Sequence, residues 1–241
     1  MFTTTSRPDG LAKPKENQRN SRRSFLKYGS ASLAAAGVVF SGCKELEDLI
    51  PKPPKDKPKM VSLGSGDIGI LNYAYTLEQL EAAFYEMVML KPYGGMTFEE
   101  ALILEDLKRH EVIHREFYQK VLGKDGIPAL EFDFSGIDFS SRHSVLSTAR
   151  TFEDLGVAAY NGAGQLLESP DLLLIAGKIV SVEARHAAAI KSVFDTDPTA
   201  FAGDDVIDEN GLGQALSTKT VLASAAAFIK TEIDGSDLPK A

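Results

Sequence analysis

Glu111-Val112-Ile113-His114 and Glu183-Ala184-Arg185-His186 are two copies of one pattern, Glu-x-x-His, each inside a run whose apolar residues recur at helical spacing. Residues at i and i+3 share a helix face, so each copy presents a carboxylate and an imidazole to the same point in space. Those two groups together are ligand types for a transition metal. Each copy is read as half of a metal site.

A site built from two equivalent helix pairs leaves its spacing twice in a sequence. Thr76-Leu77-Glu78-Gln79-Leu80 with Tyr85 matches Thr151-Phe152-Glu153-Asp154-Leu155 with Tyr160. In both segments the Tyr follows the Glu at the same offset, and Glu-x-x-His comes one helix later. The pattern resembles the ferritin-like di-iron carboxylate family, in which a four-helix bundle takes one Glu from each of two helices and a Glu-x-x-His from each of the other two. The resemblance spans residues 67–195 and is closest to the exported, desiccation-associated branch of that family. It implies Glu78, Glu111, His114, Glu153, Glu183 and His186 as ligands of two iron ions, or of manganese, with Glu111 and Glu183 bridging. Tyr85 and Tyr160 match the tyrosines that stand behind the ligands in the family.

The fold class expected is all-α: a four-helix bundle with a long crossover between helices two and three and a short fifth helix. The first helix spans about Gly66 to Leu90, and its seam is Leu71, Tyr75, Glu78, Ala82, Tyr85 and Met89. Glu81 lies on the neighbouring stripe with Leu77, Phe84 and Val88 and is the alternative ligand. Glu78 is preferred because the second repeat has Glu153 at the equivalent place and Gly156 opposite Glu81. Thr97 and Glu100 form a capping box that opens the second helix, whose seam is Leu104, Leu107, Glu111, His114, Tyr118 and Val121. A carboxylate on an apolar face is costly without a partner, which argues for a cation there.

Gly123 ends that helix, and the stretch beyond it contains Leu130-Glu131-Phe132-Asp133-Phe134 with strand-like alternation. So long a connection suits parallel helices joined along the bundle. The third helix is expected over Ser141 to Glu168, and the fourth opens at Ser169-Pro170-Asp171 and carries Ile179, Glu183, His186, Ile190 and Val193. Residues 196–241 are read as a C-terminal loop followed by a capping helix over Gln214 to Ile229.

Upstream, Ser21-Arg22-Arg23-Ser24-Phe25-Leu26-Lys27 precedes an apolar run from Tyr28 to Gly42, which reads residues 1–42 as a twin-arginine signal peptide. Cys43, the only cysteine, stands where a bacterial lipobox places its lipid, although Phe40 replaces the usual Leu. Residues 43–66 read as a tether, with Pro51-Lys52-Pro53-Pro54-Lys55-Asp56-Lys57-Pro58 favouring extended polyproline II. The implied partners are the twin-arginine translocase and, through a lipid on Cys43, a membrane, and the implied location is the periplasm or envelope.

A formal net charge of -8, made more acidic if residues 1–42 are removed, disfavours nucleic acid as a partner. A single Cys excludes an internal disulfide and a four-thiolate zinc site. The sharpest competitor is His110-Glu111-Val112-Ile113-His114, a literal match to the zinc-metalloprotease motif. The second repeat has Val182 where that motif would require His, so the repeat explains Glu111 and His114 and leaves His110 outside it. His143 belongs to no motif and is read as a surface residue. Two functions follow: an oxidoreductase-type centre reacting with oxygen or peroxide in stress protection, or a non-catalytic, metal-stabilised envelope or stress protein.

Overall fold

A computed structural model describes residues 60–195 and 197–240. Arg22, Arg23, Cys43 and the proline-rich stretch to Pro58 lie outside the described residues. The order of elements is β1 (Val61–Ser62), α1 (Gly66–Leu90), α2 (Phe98–Leu122), α3 (Arg142–Gly164), α4 (Pro170–Phe194), α5 (Thr218–Ala225) and β2 (Ile233–Asp234). The fold is all-α, with α1 packed along α2 and α3 along α4.

The helix ends follow from local chemistry. Thr97 accepts from the Glu100 backbone while the Glu100 side chain accepts from the Thr97 N–H at 2.8 Å, so two donors at the start of α2 are satisfied reciprocally. The other Glu100 oxygen holds Arg142 Nε at 2.6 Å, which sets the first turn of α3 beside the first turn of α2. The two helices therefore start together and run the same way. Between them the crossover lies along α1, where two buried amides two turns apart hold its backbone. Asn72 donates to the Asp125 carbonyl at 3.0 Å and accepts from the Ile127 N–H at 3.0 Å, and Gln79 accepts from the Leu130 N–H at 3.0 Å. These amides let irregular backbone pass over apolar helix surface without unpaired polar groups. Of the strand-like alternation, one antiparallel bridge forms, Phe132 with Ile229, while Phe134 and Phe139 turn inward onto Phe84.

Three features differ from the sequence reading. Helix α3 stops at Gly164 and not near Glu168, because Asp67 of α1 captures the N–H groups of Glu168 and Ser169 at 2.8 and 3.0 Å and fixes them in the turn before α4. Helix α5 is shorter than expected, since Gln214 to Leu216 lies extended on α3, with Leu216 N–H donating to the Ala158 carbonyl at 3.0 Å. Finally, the end of the stretch read as tether enters the fold: Val61 and Ser62 pair in parallel with Ile233 and Asp234. A cluster of charges fastens the C-terminal segment from the other side. Lys191, 1% exposed, reaches Asp154 at 3.1 Å and Asp205 at 3.4 Å, and Arg150 reaches Asp205 at 2.8 Å.

Candidate metal centre

The four helices converge their polar seam residues at the middle of the bundle. Glu78 comes from α1, Glu111 and His114 from α2, Glu153 from α3, and Glu183 and His186 from α4. All four carboxylates are 0% exposed and His186 is 3% exposed, while His114 is partly buried. Their atoms form two overlapping groups, Glu78/Glu111/His114/Glu183 and Glu111/Glu153/Glu183/His186, each with one donor atom per residue within 4.8 Å of the others.

The sharing of Glu111 and Glu183 is resolved oxygen by oxygen. Glu183 turns Oε1 to His114 Nδ1 at 2.9 Å and Oε2 to His186 Nδ1 at 3.6 Å. Glu111 does the converse, with Oε1 at 2.8 Å from His186 and Oε2 at 3.6 Å from His114. Glu78 Oε2 faces only His114, at 3.3 Å, and Glu153 Oε2 faces only His186, at 3.4 Å. The remaining oxygens of these outer carboxylates are tied down by phenols. Tyr85 donates to Glu153 Oε1 at 2.6 Å, and Tyr160 donates to Glu78 Oε1. The arrangement is two-fold in the same sense as the sequence repeat.

Among the described residues, eight inward atoms make no hydrogen bond of good geometry despite these short separations: Glu78 Oε2, both oxygens of Glu111 and of Glu183, Glu153 Oε2, and Nδ1 of His114 and of His186. Buried polar atoms left unpaired are costly, and so many aimed at one place fit a cation-binding site. Oxygen and imidazole nitrogen with no thiolate suit iron, manganese or a similar divalent ion.

Three other residues complete the surroundings. Tyr118, on the α2 seam one turn beyond His114, lies 2.9 Å from the Tyr160 hydroxyl and so extends the phenol chain behind Glu78. Its seam position was visible in the sequence; its partner was not. His110 is in neither donor group, because its Nδ1 lies 2.9 Å from His186 Nε2 and the two rings stack, 5.1 Å apart. A protease-type zinc site would need His110 and His114 on one ion. Glu81 is also buried beside the centre but outside both groups. His143 is exposed and packs against Phe194.

Without a cation the charges rearrange through protons. Burial alone would lower the pKa of His114, but the facing carboxylates of Glu111, Glu183 and Glu78 outweigh it and push it up to about 12. His186 is raised in the same way by Glu111, Glu153 and Glu183. Glu111 and Glu81 are pushed up by burial and by neighbouring carboxylates, whereas the two imidazoles overcome burial at Glu183 and bring it down to about 2. A raised histidine stabilises the fold fully below its unfolded value of about 6.5, and that contribution is lost as pH climbs toward the folded value. The depressed Glu183 acts oppositely but only below the ordinary carboxylate range. Chelator-treated protein is therefore expected to melt at progressively lower temperature from pH 6.5 to 9, while cation-loaded protein does not, since the cation replaces the protons. A melting temperature of the metal-free protein that rises over that interval would contradict this charge arrangement.

No curated protein compared with the chain matches it. A family model described as a ferritin-like domain matches residues 66–196, from the first residue of α1 to just past the end of α4. With more than half of its length covered, and with the all-α bundle that such a match requires, the chain belongs to the ferritin-like domain family.

Proposed function

We propose that the centre holds two divalent cations, iron or manganese, and that it reacts with oxygen or peroxide as an oxidoreductase or stress-protection site. The observation that carries the reading is the division of two carboxylates, Glu111 and Glu183, each with one oxygen toward either imidazole. Bound iron or manganese would supply reversible one-electron chemistry to the oxidant. The protein's own part is to fix the donors, with Tyr85 and Tyr160 holding the outer carboxylates and His110 orienting His186. Four Glu carboxylates and two neutral imidazoles balance two divalent charges in an apolar bundle.

The test is anaerobic loading with Fe(II) followed by admission of oxygen or hydrogen peroxide. Oxidation faster than that of free iron in the same buffer is expected. No acceleration leaves the second reading, a non-catalytic protein in which the cations only stabilise the bundle; complete burial of all four carboxylates favours that reading, because it restricts access.

The same proposal places the protein outside the cytoplasm. Arg22 and Arg23 with the following apolar run support export by the twin-arginine translocase, and Cys43 supports a lipid anchor ahead of the proline-rich segment. Twin-arginine export carries folded proteins, so the cations would be loaded before translocation. Periplasmic or envelope placement and a role in desiccation or oxidative stress follow from that signal and the family branch it resembles.

A further inference from the structure

The chain holds two Asn-Gly dipeptides, and the fold puts them in opposite surroundings. Asn161-Gly162 lies inside α3, with the Asn161 side-chain amide donating to the Gln214 carbonyl at 3.0 Å and Gly162 buried against the Leu216 carbonyl. Asn210-Gly211 lies in the turn that joins Ile207 to Gly213, and both residues are exposed. Gly211 has φ +75°, and nothing among the described residues stands within 4 Å of the place a side chain on it would occupy. The turn hangs on one residue: Asp208 accepts from Gly211 N–H on its carbonyl at 2.9 Å and from Asn210 and Leu212 N–H on its carboxylate at 2.9 and 2.8 Å. Bonds on an exposed turn open at small cost, whereas those inside a packed helix open only with the helix.

We infer that Asn210 is a site of spontaneous modification, a deamidation in which the Gly211 backbone nitrogen is the nucleophile, and that Asn161 is spared by its place in α3. The Gly211 nitrogen bonds to the Asn210 side-chain carbonyl carbon, the bond from that carbon to the amide nitrogen breaks, and ammonia leaves with the Gly211 proton. Water then opens the cyclic imide at either carbonyl. Cleavage on the side-chain side gives aspartate; cleavage on the main-chain side gives isoaspartate, in which the backbone runs through the former side chain. No oxidant or reductant takes part. The same ring at Asn161 would include the bond whose rotation is ψ, and it could not keep the helical value.

Either product adds a negative charge beside Asp208 and Glu209, and isoaspartate also adds a carbon to the backbone of the turn. Gln214 follows closely: its N–H donates to the Val206 carbonyl at 3.0 Å across the hairpin, and its own carbonyl accepts from Asn161. The modification therefore loosens the grip of the C-terminal segment on α3, through residues outside both donor groups.

The experiment incubates the full chain at pH 8 in 18O-labelled water and maps its peptides by mass spectrometry, beside the same chain unfolded in urea. Unfolded, both dipeptides should take up the heavy oxygen at similar rates. In the folded chain Asn210 is expected to react about tenfold faster than Asn161 or more, and fragmentation that separates aspartate from isoaspartate should find both at position 210. Gly211→Ala should slow the reaction several-fold by crowding the attacking nitrogen, and Asn210→Gln, whose longer side chain would have to close a larger ring, should remove it. Equal rates at the two positions of the folded chain, faster reaction at Asn161, or an Asn210 left intact over the time in which the unfolded chain converts would overturn the inference.

Discussion

Replacing Glu111 and Glu183 together with alanine is expected to remove metal binding altogether. After loading with Fe(II) or Mn(II) and desalting, elemental analysis should find about two ions per wild-type chain and essentially none in the double variant, as expected of a carboxylate-bridged pair. The effect is large because each residue sends one oxygen to each side of the centre, so two substitutions take two donors from both groups. What remains is Glu78 with His114 and Glu153 with His186, a single carboxylate and imidazole at either end. His114 and His186 also each lose two of the three carboxylates that hold their protons. NMR titration of the metal-free variant should register a fall in both histidine pKa values, because burial is then opposed by one carboxylate in place of three. A double variant that still holds one zinc would favour a protease-type site on His110 and His114.

The second large effect is expected far from any charge. Gly162→Ala should destabilise the fold by about 3 kcal/mol through forced repacking. A methyl group there would lie 1.8 Å from the Leu216 carbonyl oxygen and 2.8 Å from its carbon, and both are backbone atoms that cannot swing aside. The same stretch is held on α3 by Leu216 N–H to Ala158 and by Asn161 to the Gln214 carbonyl, at 3.0 Å each, so it must detach or drag the helix with it. For a domain of this size the change corresponds to a fall in melting temperature of roughly 6–12 °C. Gly164→Ala is the matched control, because its methyl would meet only Leu173 Cδ1 at an ordinary 3.7 Å. Equal melting temperatures for the two variants would show that the Leu216 contact is not a fixed part of the fold.

These two positions mark what the sequence could and could not convey. The bundle was legible because its information is local or repeated. Thr97 with Glu100 and Ser169 with Pro170 write helix starts into adjacent residues, and the Glu-x-x-His copies write a helix face into a spacing. The side chains picked out by the repeat lie together at the bundle centre, yet the division of oxygens between Glu111 and Glu183 belongs to rotamers, which spacing does not encode. Contacts between distant segments were not legible. Nothing near Gly162 announces Leu216, nothing near Tyr160 announces Tyr118, and nothing near Lys191 announces that Asp154 and Asp205 surround it. The β1–β2 pair is two residues long on each side, too short to leave an alternation. Helix α3 ended early for a similar reason: the capture of Glu168 and Ser169 by Asp67 spans the domain.

Tension applied at Met60 would meet the parallel pair of Val61 with Ile233 and Ser62 with Asp234 before it reached α1. Where the pull runs along the strand, the two hydrogen bonds, 2.8 Å from Val61 to Glu232 and 2.9 Å from Leu63 to Asp234, lie across it and share it. The clasp thus closes the domain on itself, joining the chain just ahead of α1 to the segment that follows α5 through backbone alone.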